Sequence, residues 1–240
     1  MLRATGQPGA ECAMFQPMST PSPAPVDAAA LDADRARPRI YLLAAHPHWR
    51  DSRVNRRLLE AARAVAQVEV NDLYQSYPDF SIDVETEKAR LQRADMLVLL
   101  HPIQWYSMPP LQKLWLDEVL EYGWAYGTSS GALQGKDCWL VATTGGPEHS
   151  YHPQSYNRYF FDAFLPPYEQ TAALCGMRFL PPLVLHGARR VSSQAVAAHV
   201  EVFADRLATY PNWPELEDLA QCVGCEVPQS DRPLETIGAA

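Results

Sequence analysis

The apolar positions of this chain fall into short runs that alternate between two periods. "RIYLLAA" (39–45) is a continuous apolar run of strand length. "SRVNRRLLEAARAVA" (52–66) sets Val54, Leu58, Leu59, Ala62 and Val65 on one helical face, with Asp51 or Ser52 as the expected N-cap. "VEVNDL" (68–73) alternates like a strand, and "DMLVLL" (95–100) reads as a buried one. A helix over 109–122 opens with prolines in its first turn, where a missing N–H costs little. "CWLVATT" (138–144) is a fourth strand, and 166–174 a further helix. "MRFLPPLVLHG" (177–187) contains a fifth strand interrupted by Pro181 and Pro182, which places it at a sheet edge. A final helix spans 192–210, capped by Ser192 or Ser193.

Repeated strand and helix alternation predicts an α/β fold, a parallel sheet with helices on both faces. The smallest common form is the flavodoxin-like three-layer sandwich, five strands in the order 2-1-3-4-5. Ligands bind in such folds beyond the carboxyl ends of the strands, where the winding reverses. That directs attention to "HPHWRDS" after strand one, "HPIQWYS" after strand three and "TGGPEHSY" after strand four. Residues 1–38 are rich in Pro, Ala and Ser without any period and are expected to form a disordered extension to a domain of 39–210. From 211 to 240 the chain is again rich in Pro and acidic residues, and an irregular, loosely attached tail is expected.

Composition narrows the partners. The chain has 240 residues, 47% of them apolar, which suffices for one well-filled core. A net charge of −8 argues against binding a nucleic-acid backbone. No run approaches the roughly 20 apolar residues of a membrane-spanning helix. Five irregularly spaced cysteines fit a reduced, cytoplasmic setting better than a disulfide framework.

The first loop leads into a helix N-terminus at Ser52, whose free N–H groups and dipole favour an anion such as phosphate. His46 and Asn55 can add side-chain contacts; the alternative is an ordinary capped helix. The loop after strand three offers flat surface from Trp105 and Tyr106, unless these are core aromatics. Gly145 and Gly146 after strand four let backbone approach a ligand closely. A phosphate site at one end and a flat slot at the other describe flavin mononucleotide (FMN). Neither G-x-G-x-x-G nor G-x-x-x-x-G-K-[ST] occurs, which removes the main support for dinucleotide and P-loop readings. "GTSSG" (127–131) lacks the strand-turn-helix context of a hydrolase nucleophile. His46 and His48 find no further ligands for a metal site. Cys222 and Cys225 lie in the tail and read as two tail thiols.

"AHP", "S-x-x-N", "HPIQWYSMPPLQKLWLDEVL", "GWAYG" and "TTGG" together resemble the NAD(P)H quinone oxidoreductase (DT-diaphorase-like) branch of the flavodoxin-like proteins. The run from Leu73 to Val119 is similar to ancillary proteins of glutathione-regulated potassium-efflux (Kef) systems. The likeness covers about Ile40 to Leu207. It implies FMN rather than FAD, NAD(P)H as co-substrate, and two-electron hydride reduction of quinones. By the same resemblance, His46 and Ser52, Arg53, Val54 and Asn55 would hold the FMN phosphate and ribityl chain. Ile103, Gln104, Trp105 and Tyr106 would line the isoalloxazine edge with backbone amides and rings. Thr144, Gly145, Gly146 and Pro147 would close on its polar end, although Pro147 lacks an N–H that the family pattern supplies. Tyr126 and Tyr151 match tyrosines of the family's substrate pocket or hydride step. His152 is the nearest candidate for its second active-site residue, a histidine. The resemblance further implies a homodimer, for which Trp124 and Tyr126 offer surface if they are not packed within the chain. It also implies a regulatory role on a potassium-efflux transporter, and through that partner a peripheral place on the inner face of the membrane.

Overall fold

The computed structural model describes residues 38–127 and 131–219. Five strands, β1 (Ile40–Ala44), β2 (Val68–Asp72), β3 (Met96–Pro102), β4 (Asp137–Thr143) and β5 (Arg178–Leu185), form one parallel sheet in the order β2-β1-β3-β4-β5. This is the flavodoxin-like arrangement. β1, β3 and β4 are buried along almost their whole length because helices cover both faces, so they carry no polar alternation. Successive residues of β1 serve opposite layers. Ile40, Leu42 and Ala44 pack with α1 (Asn55–Arg63) and α6 (Ser193–Thr209), whereas Tyr41 and Leu43 pack with α3 (Val84–Arg93), α4 (Pro110–Val119) and α5 (Pro166–Leu174). A single turn, α2 (Leu73–Ser76), follows β2.

β5 lies at an edge, as its prolines require, and its pairing with β4 slips between Trp139 and Val141, opposite them. Pro181 still contributes a carbonyl, which accepts from Trp139 Nε1 at 3.0 Å. Ser192 caps α6 through Ala195 N–H at 3.1 Å. The start of α1 differs from expectation. A 3-10 turn at Trp49–Asp51 intervenes, Ser52 is extended, and the helix begins at Asn55 without a side-chain N-cap. The Ser52 hydroxyl nevertheless accepts from Arg56 N–H at 3.2 Å, so it still serves one of the first-turn N–H groups.

α3 is an element that apolar periodicity does not announce. Its two buried positions are Glu87 and Leu91. The Glu87 carboxyl group accepts from Tyr41 Oη, Trp115 Nε1 (2.7 Å), Tyr77 Oη (2.6 Å), Asn71 Nδ2 (3.0 Å) and Arg90 Nη1 (2.8 Å). Five donors from β1, β2, α3, α4 and the segment after α2 thus converge on one side chain. What marks the helix locally is its cap: Asp83 accepts from Thr86 N–H, with acidic residues in the first turn and basic ones in the last.

The tail is not loose where it is described. Trp213 and Leu216 are buried, and Trp213 packs edge-on to Trp139 at 4.9 Å. Arg178 pairs in a two-pronged contact with Asp137 and donates to Leu216 O at 3.3 Å, while Tyr210 Oη donates to the same aspartate at 2.8 Å. Attachment therefore runs to at least Leu219, beyond the expected limit at 210. The extension 1–37, most of "GTSSG", Cys222 and Cys225 lie outside the described residues.

Removing Glu87 would leave Tyr41 and Trp115 donors buried without partners. Glu87→Ala is expected to lower unfolding free energy by about 3 kcal/mol or more. Urea titration checks this, with Glu85→Ala, an exposed neighbour, as a near-neutral control.

Candidate active site

A cavity of about 560 Å³ opens at the carboxyl ends of β1, β3 and β4, within the range of sites that hold cofactor-sized ligands. His46, His48 and Asp51 to Asn55 form one side, Pro102 to Gln104 and Thr143 to Gly145 the next two, and Ala188 and Arg189 the last. Of the residues expected to hold a cofactor, His46, Ser52, Arg53, Val54, Asn55, Ile103, Gln104, Thr144 and Gly145 line it together. Trp105, Tyr106, Gly146 and Pro147 do not, and neither do Tyr126, Tyr151 and His152.

The β1 side supplies donors without requiring a cation. His46 Nδ1 accepts from His48 N–H at 3.1 Å, so Nε2 carries the ring proton and is a donor. Burial, aided by neighbouring His48 and opposed by Asp51, pushes the His46 pKa down to about 4. The ring is therefore neutral at pH 7. Asn55 is buried, its Nδ2 donating to Thr143 Oγ1 at 2.9 Å, while its buried Oδ1 has no partner among the described residues. An orphaned acceptor in a cavity wall invites a hydroxyl or N–H from a ligand. Arg53 is committed elsewhere: it donates to Val191 O (2.7 Å) and Ser193 Oγ (3.3 Å), joining the start of α1 to the loop after β5.

The β3 loop alters the expectation of backbone amides facing a ring. Ile103 N–H is held by Thr143 O at 2.7 Å, and Gln104 N–H by Ser107 O at 2.9 Å. Ser107 N–H returns to Gln104 O at 3.0 Å, closing a two-residue turn. Trp105 and Tyr106 occupy it with φ of 49° and 65°. Two consecutive bulky residues in the left-handed region are strained, and such strain gathers at functional sites. The Trp105 and Tyr106 amides have no partners among the described residues. The Trp105 ring is 93% exposed, so it walls nothing in a single chain. Tyr106 turns toward Phe164 (5.0 Å, 26°) and donates to Asn157 Oδ1 at 3.3 Å.

The two glycines after β4 do different work. A Cβ on Gly145 would meet nothing within 4 Å, so the protein itself does not require glycine there. A Cβ on Gly146 would lie 2.8 Å from Ser150 Oγ and 3.0 Å from Tyr156 Oη. Ser150 cannot withdraw easily: it is buried and bonded to Pro147 O (2.6 Å) and Asn157 Nδ2 (2.8 Å). Pro147 starts the 3-10 turn Glu148–Ser150.

The tyrosine and histidine candidates separate. Tyr151 is buried against His186, Phe161 and Phe164, and burial raises its pKa, with the Thr144 hydroxyl opposing. Tyr126 packs edge-on to Tyr122 at 5.6 Å, away from the cavity lining. His152 is exposed, takes Gln154 N–H on Nδ1 and sits edge-on to Phe160, outside the cavity lining. His186, directly after β5, stands beside the cavity wall, 3.0 Å from Thr144 Oγ1. Sequence inspection of three loops missed His186, Ala188 and Arg189. The available signal was the strand order, since β5 adjoins β4 and "HGARR" must reach the same end of the sheet.

Fold and cleft define a flavodoxin-like α/β protein with its ligand cavity at the reversal point of the winding. Residues 38–207 match Flavodoxin_2, a family described as having a flavodoxin-like fold, and the chain belongs to that family. The glutathione-regulated potassium-efflux system ancillary protein KefF of Klebsiella aerogenes is 42% identical over 176 residues, 73% of this chain and 97% of that protein. General stress protein 14 of Treponema denticola, solved in complex with FMN, is 35% identical over 71% of this chain and 98% of its own, with a TM-score of 0.66. An NADPH-quinone reductase from P. pentosaceus is 25% identical over 72% and 98%, with a TM-score of 0.65. A chain described as a thermophilic tryptophan halogenase from Streptomycin violaceusniger is 36% identical over 72% and 99%, with a TM-score of 0.68.

The glycine pair yields a contrast. Gly146→Ala should cost about 1–3 kcal/mol of stability through the forced shift of Ser150. Gly145→Ala should stay within about 0.5 kcal/mol. Thermal unfolding of both variants measures this, and equal losses would contradict the assignment.

Proposed function

We propose that the cavity binds FMN and that the protein is an NAD(P)H:quinone oxidoreductase performing two-electron reduction. The observation that carries this reading is the β1 side of the cavity. A neutral His46 donor and the first turn of α1 suit a phosphate, beside the unpartnered Asn55 Oδ1 that suits a ribityl hydroxyl. Open space over Gly145 suits close approach of a flat ring. The description of a relative in complex with FMN favours FMN over FAD, and that of another as an NADPH-quinone reductase favours the chemistry.

Bound FMN supplies the hydride relay between nicotinamide and quinone. The chain's own residues orient it and manage charge. His46, Ser52 and Asn55 hold the polar chain. Ile103 and Gln104 would supply the β3 side of the site. Thr144 and the backbone of Gly145 flank its polar end, where donors favour developing negative charge. Tyr151 stands behind Thr144 as the phenol nearest that end. Tyr126 and His152 have no part in this arrangement within one chain.

A second reading is compatible: an ancillary subunit of a glutathione-gated potassium-efflux transporter, held on the inner face of the membrane by that partner. Identity to a KefF protein across nearly its whole length favours it. Among the described residues no helix is long and apolar enough to cross a membrane, so attachment would come through the partner. A homodimer would cover the exposed rings of Trp105, Tyr156, Tyr159 and Phe160. The activity is assigned to the domain that begins at 39 and runs to at least Leu219.

The protein as purified, supplied with FMN, should show a flavin absorption band and quinone-dependent NAD(P)H oxidation; absence of both sinks the enzymatic reading. Asn55→Leu should weaken FMN binding on the order of tenfold. His46→Gln, which keeps a neutral donor, should weaken it less than His46→Phe. Fluorescence titration of FMN ranks the three. A cavity variant that loses the oxidase activity yet still activates efflux would assign the transporter role to the surface.

A further inference from the structure

A phosphate in the cavity would find donors on the β1 side but no counter-charge there. His46 is a neutral ring, its pKa pushed down to about 4 by burial. Ser52 offers a hydroxyl, and α1 begins without a side-chain cap, so its first turn offers N–H groups. A phosphate monoester carries about −1.5 to −2 charges at neutral pH. Bringing such a charge into a half-enclosed site is costly unless a cation meets it. Apart from the two imidazoles, the ionisable side chains of the lining are Asp51, Arg53 and Arg189. Asp51 is itself an anion. Arg53 spends its guanidinium on Val191 O (2.7 Å) and Ser193 Oγ (3.3 Å). Arg189 is the remaining cation. It is exposed, and its guanidinium has no hydrogen bond or ion pair among the described residues.

The backbone holds Arg189 near the start of α1. The loop after β5 is tethered at both ends. Gly187 N–H donates to Gly146 O at 2.8 Å and Ala188 N–H to Thr144 O at 2.9 Å, which fixes the start of the loop against the β4 loop. The two Arg53 bonds fix its end, at Val191 and Ser193, against the residues that lead into α1. Between the tethers the chain closes on itself, with Arg190 N–H and Val191 N–H both reaching Gly187 O, at 2.8 and 3.0 Å. Ala188 and Val191 pack against the core layer that α1 and α6 share, which leaves Arg189 and Arg190 outward. Of these two arginines, Arg189 lines the cavity and Arg190 does not.

We propose that Arg189 is a specificity-determining residue of the cofactor site: its guanidinium pairs with the flavin's phosphate, so that the site selects phosphorylated flavin over riboflavin. The proposal rests on the flavin reading and adds to it the group that supplies the charge. A guanidinium presents paired N–H groups whose spacing matches two phosphate oxygens. Two arginines against one aspartate leave the lining one positive charge, and without Arg189 that charge is gone. The phosphate would then face the Asp51 carboxylate with only the committed Arg53 to offset it. Because the loop is fixed at both ends, binding has to order the Arg189 side chain but not its backbone, which limits the entropy lost. Arg189 stands at the surface, so its attraction for the phosphate is screened by salt.

The test is fluorescence titration of the full chain with FMN and with riboflavin, at low and at high ionic strength. Arg189→Gln should weaken FMN binding roughly tenfold and leave riboflavin within about twofold. Arg189→Lys keeps the charge but not the paired N–H groups, and should fall between wild type and Arg189→Gln. Arg190→Gln changes the same loop outside the lining and should leave both flavins within about twofold. The wild-type preference for FMN over riboflavin should shrink as salt is added, and that of Arg189→Gln should shrink less. Equal weakening of both flavins in Arg189→Gln would make the residue a support of the loop and overturn the inference. FMN affinity unchanged in Arg189→Gln also overturns it, and a raised KM for NAD(P)H in that case would hand the guanidinium to the co-substrate. Both results leave the flavin reading standing. Failure of the wild type to bind either flavin sinks that reading and this inference with it.

Discussion

The convergence of five donors on the Glu87 carboxyl group is the contact on which the most elements depend. It lies beneath the sheet face formed by Tyr41 and Asn71 and carries no exposed surface. Burying such a group is costly unless every lone pair is used, and here donors from two strands and two helices use them. The same bonds fix α4 through Trp115, and α4 follows directly from the strained turn at Trp105 and Tyr106. A buried polar network is weak evidence for stability but good evidence for one specific packing. Sliding α3 or α4 by a turn would strand several donors at once.

At the carboxyl ends of the strands the governing constraint is the supply of backbone hydrogen bonds. Amides of the loops either close the loops on one another or remain for a ligand. Ile103, Gln104, Gly187 and Ala188 spend theirs internally, which makes the cleft rigid. Left to meet a ligand on the β1 side are the first turn of α1, one side of His46, and the lone acceptor on Asn55. A preformed site with few, fixed polar groups suits a cofactor whose reactivity is its own.

The parallel sheet, its strand order and the edge position of β5 were legible because continuous apolar runs and two prolines have few other uses. The β1, β3 and β4 loops were legible as one site because topology brings those ends together. α3 was not legible from periodicity, because a glutamate takes one of its two buried positions and leaves Leu91 as the lone apolar one. The attachment of the tail was equally hidden. Trp213 looks like an isolated aromatic until Trp139 and Tyr210 are seen to receive it. His152 was read as the nearest candidate for the family's histidine, while the imidazole that meets Tyr151 and Thr144 is His186.

The sequence by itself thus determined the class of fold, the end of the sheet where the cavity opens, and most of the residues that line it, because these follow from local period and chain order. Tertiary structure alone decided which groups are free to act. Whether an amide faces a ligand, whether Trp105 is a wall or an exposed ring, and which imidazole meets Thr144 all depend on hydrogen bonds between loops distant in the chain. Such bonds leave no periodic trace, since a donor's availability is set by the partner that folding brings to it.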